Sequence, residues 1–169
     1  MSNQLSQEEV QQKLIKYLSL LDATQPYGTE LYKAISRVTV RIGIEAVSIS
    51  PRASRRYVWM KQRGQDESYP GLWHCPGSII RPGESTDDVR QRMSKEFGCT
   101  VRALHQVCGF NHPHEETGHA VCWVHFCELS GTPTNGEWFP VDDLPENTIN
   151  HHREEVIPKA LAFFDRQTV

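Results

Sequence analysis

The apolar pattern begins with a helix. Residues 7–22, QEEVQQKLIKYLSLLD, place Val10, Leu14, Leu18 and Leu21 at helical spacing, with glutamates early and Ser6 as the predicted cap. Pro26 and Gly28 break the pattern, so residues 1–36 read as an N-terminal helical extension and 37–169 as the main domain. From Arg37 the period falls to two. Val38, Val40, Ile42 and Ile44 alternate with Thr39, Arg41, Gly43 and Glu45, then Val47 and Ile49 take the opposite parity. That slip predicts one strand with a bulge near Glu45–Ala46. Pro51 to Arg56 reads as a turn, and YVWMKQR (57–63) as a second strand leaving it.

A polar loop, GQDESYPG, leads into a Gly/Pro-rich stretch and a predicted helix from about Thr86 to Phe97 with the apolar stripe Val89, Met93, Phe97. TVRALHQVCGF (100–110) predicts one strand or two short ones. HAVCWVHFCEL (119–129) is apolar on both faces and predicts a central strand covered on both sides. After the turn SGTPTNG comes a short extended piece, EWFPVDDLPE, and then a last helix, REEVIPKALAFFDR, begun or interrupted by Pro158. This order predicts an α/β sandwich with a mixed sheet between helices.

Composition narrows the class. At 169 residues, 38% hydrophobic and 23% charged, the chain has the make-up of one soluble globular domain. A net charge of −3 provides no global field for nucleic acid, so no DNA partner is expected, and a polyanion needs a local cluster. No apolar run reaches membrane-spanning length and the polar start is unlike a signal peptide, which predicts a cytoplasmic protein without membrane contact. Five cysteines, an odd number without C-x-x-C spacing, read as free thiols, and Cys75 as a small hydrophobe.

The loop and helix over 75–98 carry the chemistry. Divalent cations cleave a diphosphate by neutralising its oxygens and activating water, and a helix supplies the ligands when it carries carboxylates at i, i+3 and i+4. PGLWHCPGSIIRPGE followed by this helix resembles the Nudix box, G-x5-E-x7-R-E-U-x-E-E-x-G-U with U aliphatic, and EWFPVDDLPE and YVWMKQR resemble its flanking segments. The resemblance covers residues 38 to about 165. It implies a Nudix-like α/β/α sandwich and hydrolysis of a nucleoside diphosphate-linked compound with Mg²⁺ or Mn²⁺.

The departures are specific. Ser78 stands at the box's first glycine, Glu84 matches the first glutamate, and Gly98 arrives one residue early. With the gap at the start of the helix, Val89, Met93 and Phe97 are buried, Gln91 replaces the family arginine, and Arg92, Lys95 and Glu96 face the metal. Ungapped, Arg92 keeps the arginine, but Met93 and Phe97 fall among the metal ligands. Burial favours the first register. Glu84 and Glu96 are then the candidate ligands, joined by Glu115, with Glu116 as a further catalytic carboxylate. Arg63, Gly77, Ser78, Arg81, Arg92 and Lys95 are the candidate substrate contacts.

The alternative functional reading is an inactive module that binds a nucleotide or nucleotide-sugar, because cations on the helix bind a diphosphate without making hydroxide. The bland reading of the helix charges is an ion-pair ladder, Asp88–Arg92–Glu96. His114 is a candidate base, although the loop holding it reads first as a solvated tip. His119 and His125, on one face with Trp123, read as packing residues, and His151-His152 as the start of a helix with a small chance of touching substrate. A homodimer through the N-terminal helix is a further possibility.

Overall fold

The structure, a computed structural model, describes residues 5–22, 28–113 and 118–167. Helix α1 spans Gln7–Leu18, shorter than the pattern predicts. Ser6 caps it as expected, in a reciprocal capping box with Glu9. No residue of α1 is buried. A second helix, α2 (Thr29–Ser36), fills what the sequence reads as a break, started by Gly28 at φ 75°. Strand β1 therefore begins only at Arg41 (Arg41–Val47), and Val38 and Val40 stay exposed ahead of it.

The parity slip has a different cause from the expected bulge. Residue 48 separates β1 from β2 (Ile49–Arg52), which turns into the second sheet and pairs with β3 (Arg55–Gln62). One sheet has the order β5-β1-β7-β6, with β5 at Gly77–Ile79, β6 at Thr100–His112 and β7 at Ala120–Ser130. Its β1–β7 pair is parallel and the rest antiparallel, so the sheet is mixed. The other sheet runs β2-β3-β4, with β4 (Trp73–His74) on one side of β3 and β8 (Glu137–Pro140) also paired to it. β6 is one strand, with register shifts at Val101/Ala103 and Gln106/Cys108, and β7 is central as its two apolar faces predict.

Two cores lie on opposite sides. Ile44, Ala46, Trp59, Val101 and Cys127 pack with Val89, Met93 and Phe97 of α3 (Thr86–Phe97). Val47, Val58, Met60, Cys75 and Val124 pack with Ile157, Ala160 and Phe164 of α4 (Ile157–Gln167). The result is an α/β/α arrangement. α4 is preceded by a π-helical turn, His152–Val156, in which the Ile157 N–H bonds to the His152 carbonyl. Pro158 thus sits in the first turn of α4, beyond this widened turn, and does not interrupt the helix.

α3 matches its predicted bounds because both ends are written in the sequence. Ser85 and Asp88 form a capping box, and Gly98 closes the helix at φ 67°. A Cβ at Gly98 would lie 2.1 Å from Thr134 Oγ1, so the site requires glycine for space as well as for its backbone. Phe97 is 0% exposed, and Phe97→Ala is expected to lower unfolding free energy by about 3–5 kcal/mol, read from the urea midpoint at constant slope.

Candidate functional site

The capped start of α3 holds the preceding loop through one side chain. Arg92 lies half-buried between helix and loop, and its guanidinium donates to both carboxylate oxygens of Glu84, at 2.6 and 2.7 Å. It also donates to Ser78 Oγ and, at 3.0 Å, to the Ile79 carbonyl. The Arg81 N–H adds a 2.7 Å bond to Glu84. Burial pushes the Glu84 carboxyl up, but Arg92, then the Arg81 amide and charge, outweigh it and hold the group below the usual range. Four donor contacts from Arg92 fix residues 78–84 against the helix, and Glu84 and Arg92 neutralise each other.

Glu96 is similarly engaged. Its carboxylate accepts from Lys61 Nζ at 2.7 Å, across from β3. Lys95 is exposed on the same helix. The ladder Asp88–Arg92–Glu96 does not form: Asp88 caps Ser85, Arg92 takes Glu84, and Glu96 takes Lys61. Magnesium needs several oxygen ligands free to converge. Here the two carboxylates near the box are spent on cations, and a third cation stands beside them, so these residues do not fit such an ion. Glu115, Glu116 and His114 lie outside the described residues.

A different group converges on the other face of the first sheet. Glu45 of β1 points away from Ile44 and Ala46, because side chains alternate along a strand. Glu45, His151 and His152 each place a ligand atom within 4.8 Å of the others. Glu45 Oε2 stands 3.6 Å from His152 Nε2, while the Cys75 N–H donates to His152 Nδ1 at 3.3 Å. A Cβ on Gly77 would come within 2.6 Å of Glu45 Oε2 and 2.9 Å of the Ile44 carbonyl, so the glycine leaves room for this carboxylate.

Further imidazoles surround the group. The His112 ring lies 4.8 Å from His151, and that of His74 lies 5.8 Å from His152. His74 is 3% exposed, and neither of its ring nitrogens has a hydrogen-bond partner among the described residues. His112 Nδ1 and Arg63 Nε are likewise buried without partners there. Burial lowers His74 to about 3, helped by the charges of Arg63 and Lys61. His152 is pushed well down for the same first reason, and then by His151, His74 and Arg63. These two rings are neutral at physiological pH. A cavity of about 580 Å³ opens beside His112 and His151, lined also by Tyr69, Phe110 and Asn150 among others.

The sequence brought Arg63 and His151-His152 forward, and the structure places both at this cluster. It missed Glu45 and His74. Glu45 was signalled only as the one acid in the apolar strand RIGIEAV. Ser78, Arg81 and Arg92 lie together in the loop–helix contact, Gly77 lies against Glu45, and the cavity lining includes none of them. Cys75 packs in the core, and burial lifts its thiol, as befits a small hydrophobe. His125 is buried, while His119 bonds Asn111 at 2.6 Å.

Comparison with known families supplies the deciding observation: the family model of the NUDIX domain matches residues 42–160. The chain belongs to the Nudix family. No curated protein matches it in sequence. Among solved structures, this Nudix chain superimposes on NrtR of Shewanella oneidensis with a TM-score of 0.62 at 17% identity, covering 76% of its own length and 65% of NrtR. A MutT NUDIX hydrolase from Burkholderia pseudomallei gives 0.55 at 24% identity, over 68% of this chain and 94% of the other. A UDP-X diphosphatase gives 0.57 at 18%, over 97% and 73%. These likenesses establish the fold. Among the described residues no helix is long and apolar enough to cross a membrane.

The buried histidines of this Nudix chain set an acid limit on its stability. A histidine depressed in the folded state contributes stability in full above its unfolded value near 6.5, which falls away as pH drops toward the folded value, about 3 for His74. His74→Phe is therefore expected to move the acid-unfolding midpoint, followed by circular dichroism, to lower pH. An unchanged or higher midpoint contradicts this account of His74.

Proposed function

We propose that the chain is a Nudix-type hydrolase of a nucleoside diphosphate-linked compound, with residues 37–169 as the working unit and 1–36 as an extension. The observation that carries this reading, beyond family membership, is the cavity beside the cluster of imidazoles and Glu45. Tyr69 and Phe110 offer aromatic surface for a base, and Asn111 and Asn150 offer amides for its edge. Arg63, whose buried Nε lacks a partner among the described residues, supplies positive charge toward the same cluster. His112, which lines the cavity, accepts a proton from water as the water oxygen bonds to phosphorus and the bridging P–O bond breaks. Related folds are consistent with such a ligand: the NUDIX domain of Shewanella oneidensis NrtR was crystallised with ADP ribose.

The family pattern fits this sequence best with one residue lost directly after Arg92, not before Val89. Glu84 and Arg92 then keep the spacing E-x7-R, and they are paired in space. Met93 to Gly98 reads U-x-E-E-x-G, with Lys95 in place of the first acid. The family's Mg²⁺ or Mn²⁺ accordingly has no ready seat on α3, and Glu84 is better assigned to holding the loop.

The second reading is a module that binds the same compound without cleaving it. It is favoured by the pairs Glu84–Arg92 and Glu96–Lys61, which leave α3 without free carboxylates. NrtR has also been crystallised with a 27mer DNA. For this chain, at net charge −3, we take a nucleotide or nucleotide-sugar as the partner rather than DNA.

A panel of nucleoside diphosphate-linked compounds, assayed with Mg²⁺, Mn²⁺ and Zn²⁺, separates the two. Hydrolysis of at least one compound is expected, with kcat reduced about 10²-fold or more in His112→Ala. Calorimetric binding without turnover under every metal condition sinks the hydrolase and leaves the binding module. As a check on the loop, Arg92→Ala is expected to cost about 1–3 kcal/mol of stability, read from the urea midpoint, because it strands a half-buried Glu84.

A further inference from the structure

We propose that Glu45, His151 and His152 form a site for a borderline-soft transition-metal dication of the zinc class, with His74 and His112 as the imidazoles behind it. The inference deepens the hydrolase reading by naming the ligands of its metal, but the existence of the site is tested apart from turnover.

Distances come first. Glu45 Oε2 and His152 Nε2 are 3.6 Å apart, too far for a hydrogen bond. Two ligands about 2.0–2.1 Å from a tetrahedral ion lie about 3.4 Å from each other, close to this spacing. The third ligand atom, from His151, lies within 4.8 Å of both, and the His151 and His152 rings are 4.5 Å apart.

The donors select the metal. Two imidazoles and one carboxylate suit zinc, cobalt or nickel, whereas magnesium takes an all-oxygen shell.

The second observation is His74. Its ring is buried 5.8 Å from that of His152, and no well-formed hydrogen bond reaches either nitrogen among the described residues, a costly burial that a polar ligand relieves. The unpartnered Nδ1 of His112 adds a donor on the cavity side.

Opposing charges are partly neutralised. Lys61 is paired with Glu96, and Arg63 lies 3.8 Å from Glu67. The Cys75 contact must yield. Metal on Nε2 leaves the imidazole proton on Nδ1, so the long Cys75 N–H contact to Nδ1 opens on loading.

The test uses the full untagged chain, stripped with a chelator and titrated with Co²⁺ as the visible probe. One equivalent is expected to bind with ligand-field absorption, to be displaced by Zn²⁺ and not by Mg²⁺. Glu45→Gln and His151→Ala should each weaken Co²⁺ binding about tenfold or more. In nitrogen–proton NMR the Cys75 amide should shift on loading. His152→Ala is a third variant, and if it fails to fold the other two still decide.

Unchanged Co²⁺ affinity in both Glu45→Gln and His151→Ala overturns the proposal, as does loss of binding in Glu96→Gln alone. Metal-dependent turnover that is indifferent to Glu45→Gln leaves the hydrolase reading standing and removes this site. Co²⁺ binding as described without turnover does the reverse.

Discussion

The pleat of β1 is the constraint from which the rest follows. The strand lies inside the first sheet, parallel to β7 and antiparallel to β5, so both of its edges are paired, and a core packs on each face. Ile44 and Ala46 point to α3, and Glu45 and Val47 point to the opposite side. One carboxylate is thereby fixed beneath the start of α4, among histidines, without any freedom to turn outward. A shift of one residue would exchange the faces and put Glu45 into the α3 core. The apolar neighbours of β1 forbid that exchange.

The two helices divide the work unequally. α3 carries the residues by which the family is recognised, yet its charges are satisfied internally. Arg92 binds the loop, Lys61 binds Glu96, and Asp88 binds its own cap. Such contacts make the loop–helix segment a firm structural unit. α4 carries no recognised motif, but the π turn before it delivers His152 into the interior and His151 to the cavity. Wide turns of this kind are often found where a helix must present adjacent residues to a site.

Legibility in the sequence followed locality. The bounds of α3 were readable because Ser85, Asp88 and Gly98 act within one turn of themselves. The stripe Val89, Met93, Phe97 was readable because burial repeats with the helix, and all three side chains are buried. β7 was readable as central from its two apolar faces. By contrast, α2 was hidden by Pro26 and Gly28, whose breaking power masked a short helix started by that same glycine. The partners of Glu84 and Glu96 were hidden as well. A carboxylate that will meet an arginine eight residues away, or a lysine from another strand, looks in sequence like a free ligand. Glu45 and His74 were the least visible, because their neighbours come from β1, β4 and the start of α4, and only tertiary packing joins these elements.

Gly77 belongs to the motif PGS, and a reader of motifs assigns it to whatever that loop binds. Its missing side chain is instead occupied by an oxygen of Glu45 from the adjoining strand. The two positions are therefore not independent characters of the sequence. Shortening residue 45 empties the space that excludes a methyl group at 77, so the penalty for alanine there should shrink in the double variant, though the Ile44 carbonyl keeps part of it. A chain that abandoned the carboxylate would be partly released from the glycine. Among related chains, the pair is expected to persist or to disappear together, and that joint fate would record whether the interior of the sheet is still in use.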